Sequence, residues 1–198
     1  MSKTLIALCS DCPQSGKSTI ADRLEDKWCF NRVHFAGVLK EMLGIFLNAF
    51  EYDEPEISEL LDGSRKNEPL ERIPGRPTAR QLMQTLGTEW GRNLVNEDVW
   101  VEAARQTILG IQDWDEGPIV IDDMRFPNEL VMVHELGGKA IKVVRPGAKD
   151  TSGHASEGNL PDGEMDRVAT FRGENSEQAR IIQLAFADEL AKELGEDE

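Results

Sequence analysis

The residues best suited to chemistry come early. Gly16-Lys17-Ser18-Thr19 follows an apolar run, Leu5-Ile-Ala-Leu-Cys9, with Ser10-Asp11-Cys12-Pro13-Gln14-Ser15 between them. The run reads as a buried strand, and Ser18 to Lys27 as a helix with Ile20, Ala21 and Leu24 on one side. A strand, a loop and a helix start in this order form the setting of a phosphate-binding loop of the G-x-x-x-x-G-K-[ST] kind. There, backbone N–H groups and a helix N-terminus face an anion, the lysine reaches the outer phosphates, and the next hydroxyl reaches Mg²⁺. The candidate phosphate contacts are therefore Asp11, Cys12, Gln14, Ser15, Gly16, Lys17, Ser18 and Thr19. Asp11 stands where the pattern has glycine, and Gln14 at a position that is commonly glycine. Aspartate tolerates a left-handed backbone, so the turn can survive. Its carboxylate is unfavourable near a phosphate unless it points away.

A second set follows the short apolar run Ile119-Val-Ile121, which ends in Asp122-Asp123-Met-Arg125. Ligands of open α/β sheets collect beyond the carboxyl ends of strands. Acids there can hold Mg²⁺ directly or through water, and an arginine can meet a phosphate bidentately. The plainer reading is a strand-end turn capped by aspartate. A third set is Arg80, Gln84 and Thr88, which share one polar arc of a helix read from Pro77 to about Arg92, with an irregularity at Gly87. Leu82, Leu86 and Trp90 lie opposite and are expected to pack inward. Arg65 and Lys66 form a basic patch in a polar stretch. Lys17, Arg80, Arg92, Arg125 and Arg145 together suit the handling of several phosphates at once. His34 reads as an ordinary strand residue. Cys9 and Cys12 form a C-x-x-C without the second pair that zinc would want, and three cysteines in all suit free thiols.

The elements that must carry these sets follow the order of a three-layer α/β/α sandwich with a mainly parallel five-stranded sheet. Strands are read at Leu5–Cys9, Asn31–Ala36, Ile119–Ile121, Ala140–Val144 and Asp166–Phe171. Further helices are read at Val38–Phe50, near Ile57–Leu61, at Val99–Ile111, Glu129–Leu136 and Glu177–Leu194. In the last, Ile181, Ile182, Leu184, Ala185 and Leu190 are expected to be buried, with Ser176 as N-cap. Residues 1–198 read as a single domain. Residues 51–100 read as a substrate-binding helical insertion and 146–165 as a lid-like loop, long for a simple connection.

The chain has 198 residues, 39% of them hydrophobic and 30% charged, which suits a globular core. A net charge of −15 repels polyanions, so polymeric nucleic acid is not an expected partner. No apolar run reaches membrane-spanning length. The N-terminus leads straight into a strand, so no signal peptide and no membrane partner are expected, and the expected location is the cytoplasm.

Several segments resemble the bacteriophage deoxynucleoside monophosphate kinases. They are Phe35-Ala36 with Leu39-Lys40; Thr78-Ala-Arg80-Gln-Leu-Met-Gln84-Thr-Leu-Gly87-Thr88-Glu-Trp-Gly-Arg92 with Asp98-Val-Trp100; and Asp123-Met-Arg125-Phe-Pro-Asn-Glu129. Gly137-Gly138, Arg145-Pro146 and His154-Ala-Ser156-Glu157 complete the set. The resemblance implies a P-loop nucleoside monophosphate kinase fold. It implies transfer of the γ-phosphoryl of ATP to a deoxynucleoside monophosphate with Mg²⁺, for DNA precursor synthesis. On this resemblance Lys17 and Ser18 hold ATP phosphates and Mg²⁺, Asp123 supports the metal, Arg125 clamps phosphate and Arg145 reaches in from the lid. Arg80, Gln84, Thr88, Arg92 and Trp100 form the monophosphate and base pocket. Arg65, Lys66, His154, Ser156 and Glu157 are further substrate candidates. A homodimer, in the host cytoplasm if phage-encoded, is also implied.

Two other readings stay open on the sequence. A kinase with a hydroxyl acceptor, such as a modified base or small metabolite, would need Asp122 or Asp123 as base. A nucleotide-binding module without turnover would explain Asp11.

Overall fold

The computed structural model of the chain describes residues 4–12, 15–114, 117–146, 160–173 and 176–195. In chain order the elements are β1 (Leu5–Cys9), α1 (Lys17–Trp28), β2 (Asn31–Val33), α2 (Gly37–Asn48), α3 (Glu54–Leu61), a 3-10 turn (Ser64–Asn67) and α4 (Ala79–Gln84). A π-helical segment (Thr85–Val95), α5 (Val99–Trp114), β3 (Ile119–Ile121), α6 (Pro127–Glu135), β4 (Lys139–Val144), a 3-10 turn (Asp162–Glu164), β5 (Arg167–Thr170) and α7 (Ser176–Gly195) follow. They fall into two compact units, Met1–Phe35 with Arg105–Glu198, and Ala36–Ala104.

The first unit holds the sheet, in the order β2-β3-β1-β4-β5. Its strand pairs are parallel, with Ile6 beside Val120 and Cys9 beside Lys142. Such a sheet needs cover on both faces, so its strands are apolar throughout rather than alternating. Successive side chains point to opposite faces. Ile6, Leu8, Val120, Ile141 and Val143 meet Ile20, Ala21 and Leu24 of α1 and Phe186, Ala187, Leu190 and Ala191 of α7 in one core. Leu5 points to the other face, where Gly138 fits tightly beside both Leu5 and Val133 of α6. The chain is thus the expected three-layer α/β/α sandwich with a five-stranded parallel sheet. The chain leaves central β1 in opposite directions along the sheet, which puts the crevice of such folds at the end of β1.

Two details differ from the pattern-based expectation. The second strand ends at Val33, because the Phe35 N–H turns to the Asp123 carboxylate, 2.9 Å away, rather than to a strand neighbour. In α7, Ile181 and Ile182 are exposed by 61% and 37%, and Ala185 is also exposed. The buried face is Ala179, Gln183, Phe186, Ala187, Leu190 and Ala191. A glutamine occupies this inward face because it has a specific partner, described below. α7 is also tied to α1 by Asp188, which accepts hydrogen bonds from Arg23, Lys27 and Trp28 at 2.8–2.9 Å.

In the second unit, Leu39, Leu43 and Leu47 of α2, Ile57, Leu60 and Leu61 of α3, and Tyr52, Leu70, Ile73, Ala79 and Trp100 form one core. Capping boxes start α3 (Asp53 with Glu56) and α4 (Thr78 with Gln81). From Thr85 the helix widens to i→i+5 bonding, so residues four apart no longer superpose. The face assignment at about 100° per residue placed Trp90 inward, despite the irregularity read at Gly87. Trp90 is instead 41% exposed, with its ring tilted against Trp100 at 6.1 Å. Leu82 and Leu86 do pack against the core.

Candidate functional site

The phosphate-loop residues meet at the end of β1. Gly16 adopts the left-handed backbone (φ 104°) that closes the turn into α1. No side-chain cap and no acidic residue occupy the first turn of α1. Its N–H groups therefore favour an anion. Any Cβ at Gly16 would collide with the side chain of Gln183. Gln183 is almost fully buried, and its Nε2 donates to the Ser15 carbonyl at 2.9 Å. The last helix thus fixes the loop's backbone. The Ser15 side chain is buried, and its Oγ has no hydrogen-bond partner among the described residues.

A cavity of about 310 Å³ opens here, lined by Ser15 to Thr19, Arg145, Ser176, Arg180 and Gln183. Among the described residues three cations and no carboxylate line it. In a chain of net charge −15 this is a local reversal suited to an anion. Lys17 donates to Ser10 Oγ, which in turn donates to the Cys12 carbonyl at 2.9 Å. Burial holds the Lys17 pKa below its ordinary value, and the nearby Arg125 charge lowers it further. Asp11, the departure from the glycine pattern, does not line the cavity. Its carboxylate pairs with Lys142 Nζ at 2.8 Å. Burial of the Cys9 thiol pushes its pKa up to about 11, against the pull of Lys142 and Lys17. Cys9, Cys12 and Cys29 form no disulfide.

The acids after β3 divide their roles. Asp122 is buried and pairs with Arg32, and His34 Nδ1 lies 2.9 Å from its other oxygen without hydrogen-bond alignment. Burial alone would raise the Asp122 pKa, but His34 and Arg32 hold it well below the usual carboxylate range. Such a group is a poor general base, which weakens the hydroxyl-acceptor reading. Asp123 accepts from the Phe35 N–H and is partly exposed. One ligand atom each from His34, Asp122 and Asp123 lie within 4.8 Å of one another. Carboxylate and hydroxyl oxygens suit Mg²⁺, and Asp123 and Ser18 carry such donors. The turn that presents Arg125 is set by Glu129, almost fully buried, whose Oε2 accepts from the Arg125 and Phe126 N–H groups at 2.6 and 3.0 Å.

The other sequence candidates lie in the second unit. Arg80 donates to Asn67 Oδ1 at 2.8 Å, which brings it to the turn that carries Arg65 and Lys66. Arg65 pairs with Glu68 at 2.7 Å, and Arg92 reaches the Glu97 carbonyl at 3.1 Å. Gln84 ends α4, and Thr88 lies on the π segment, so the single arc drawn for Arg80, Gln84 and Thr88 is broken between them. Trp100 is a core residue, 5% exposed, with its indole N–H on the Gly87 carbonyl at 2.8 Å. Gln14, His154, Ser156 and Glu157 lie outside the described residues.

Sequence reasoning missed Gln183, Arg180 and Lys142. The available signal was a lysine within an apolar strand at Lys142. Gln183 offered only a polar residue on the better-packed face of its helix.

The sequence model of the deoxynucleotide monophosphate kinase family matches residues 56–177. This chain belongs to that family. A deoxynucleotide monophosphate kinase of Escherichia phage RB69 is 32% identical over 106 residues, 54% of this chain and 43% of that protein. The chain thus spans less than half the length of this curated relative. A putative deoxynucleotide monophosphate kinase of Acanthamoeba polyphaga mimivirus is 31% identical over 157 residues, 74% of this chain and 77% of that protein. A putative kinase from Chloroflexus aurantiacus shares the fold with a TM-score of 0.50, at 13% identity over 98% of this chain and 97% of that one. Among the described residues no helix is long and apolar enough to cross a membrane.

Proposed function

We propose that this chain transfers the γ-phosphoryl group of ATP to a deoxynucleoside monophosphate, giving the diphosphate. The observation that carries the reading is the cavity at the phosphate loop, lined by Lys17, Arg145 and Arg180 in a strongly acidic member of this family. Ser15, Gly16, Lys17 and Thr19 bind the ATP phosphates. Ser18 and Asp123 would hold Mg²⁺, partly through water, where it would neutralise phosphate charge. Arg125 and Arg145 stabilise the transferring group. Arg80, Gln84, Thr88 and Arg92, with Arg65 and Lys66, recognise the monophosphate and base within the 51–100 insertion of a single kinase domain. Trp100 supports that set from the core.

An oxygen of the acceptor phosphate attacks the γ-phosphorus as the bond to the ADP oxygen breaks. That oxygen is already deprotonated at neutral pH, so no strong base is required. The positioning of Asp122 between Arg32 and His34 agrees with this economy. A homodimer in the host cytoplasm, without polymeric nucleic acid as partner, is part of the same reading. The test is ADP release with Mg·ATP over a panel of deoxynucleoside and ribonucleoside monophosphates. Turnover is expected with at least one deoxynucleotide, and turnover with none refutes the assignment.

A further inference from the structure

Lys142 is a charged residue in an apolar strand. It sits on β4 beside Cys9 of β1, and it is 5% exposed. Its neighbours Ile141 and Val143 face the main core, so Lys142 points to the opposite face of the sheet. There its ammonium meets three oxygens: Asp11 Oδ2 at 2.8 Å, Asp162 Oδ1 at 2.6 Å and the Leu160 carbonyl at 3.1 Å. A buried ammonium is tolerated only when it is paired and its donors are used, and these partners meet both needs. Two of them are informative. Asp11 is the phosphate-loop residue that stands where the motif has glycine. Asp162 lies in the turn before β5.

A loop carboxylate left free beside Lys17 would oppose a polyphosphate in two ways: by direct repulsion and by competing for the lysine. Two unit charges a few ångströms apart near a protein surface interact strongly enough to change affinity about tenfold or more. The Asp11 carboxylate is outside the cavity lining and on Lys142. We propose that Lys142 is a positioning residue for the phosphate loop: its ammonium draws the Asp11 carboxylate away from the phosphates and so lets an aspartate-bearing loop accept a nucleoside triphosphate. Lysine and aspartate then form a compensated pair. The aspartate is tolerated only while the lysine is present, and the lysine loses its value to binding once the aspartate is gone. This role rests on the triphosphate reading above.

The test is Mg·ATP calorimetry on the full chain as wild type, Lys142→Met, Asp11→Asn and the double variant, with a thermal melt of each. Lys142→Met is expected to weaken Mg·ATP binding about tenfold or more. Asp11→Asn alone is expected to bind as well as wild type. The double variant is expected to recover affinity to within about threefold of wild type while melting like Lys142→Met, which separates a positioning effect from a folding effect. Lys142→Gln, which keeps a donor for the Leu160 carbonyl, takes the place of Lys142→Met if the latter does not fold. A Lys142 variant that binds like wild type, or a double variant as weak as the single one, overturns the proposal with the triphosphate reading intact. Wild-type protein that does not bind Mg·ATP overturns both.

Discussion

At the scale of single residues, the phosphate loop is shaped from outside itself. Gly16 needs its positive φ and also the space that a Cβ would take from Gln183. Gln183 in turn satisfies the Ser15 carbonyl in the interior. Gln183→Leu keeps the volume and removes the donor, leaving a buried carbonyl unpaired. That loss costs about 1–3 kcal/mol, measurable by urea unfolding. A rise in the KM for ATP larger than that for the monophosphate is the kinetic counterpart. The loop was legible in the sequence through Gly16-Lys17-Ser18-Thr19, because strand, loop and helix follow one another locally. Its supports were not, because Gln183 and Lys142 reach it from distant parts of the chain. A polar side chain on a buried helix face contradicts the apolar rule until its partner is known.

At the scale of elements, two helices show where periodicity was informative and where it failed. Leu39, Leu43 and Leu47 of α2 repeat at regular helical spacing and are buried, whereas Met42 and Phe46 of the same apolar pattern are exposed. The segment after Thr85 breaks that spacing. Gly87 and Gly91 lie against the Leu39 and Trp100 side chains, and the Trp100 indole bonds the Gly87 carbonyl. The glycines of this motif thus serve packing as well as turn geometry. Gly91→Ala drives a methyl group into the Trp100 ring and is expected to destabilise the 36–104 unit by about 1–3 kcal/mol. Tryptophan fluorescence during urea titration reads this directly. In the sheet unit, Asp188 joins α1 to α7. Hydrogen bonds from Arg23, Trp28 and Lys27 hold its pKa below the usual carboxylate range. Its folded pKa is lower than its unfolded one, so its stabilising effect is complete at neutral pH. The effect fades as pH falls below the unfolded value of about 4. Asp188→Asn should therefore melt below wild type at pH 7, with the gap narrowing towards pH 3. A gap that is independent of pH would contradict this ionic link.

At the scale of the whole molecule, the architecture follows from the placement of apolar runs. Leu5–Cys9, Ile119–Ile121 and Lys139–Val144 form the middle of the sheet, and short runs of this kind are what a doubly covered parallel sheet requires. The family's specific segments lie in both compact units: Arg80 to Arg92 in one, Asp123 to Glu129 in the other. Their residue types point to phosphate handling. The physical roles of Trp100 as a core residue and Glu129 as the cap that sets Arg125 needed the structure. The acidity of the chain and the cationic cavity together favour small anions over polymers. The phosphoryl transfer proposed for the phosphate loop is tested by label transfer from [γ-³²P]ATP to a deoxynucleoside monophosphate. Wild-type protein is expected to place the label on the diphosphate product. Lys17→Met, with its fold intact by circular dichroism, is expected to lose that transfer by a factor on the order of a thousand. Undiminished transfer by Lys17→Met, or none by wild type, would contradict the account.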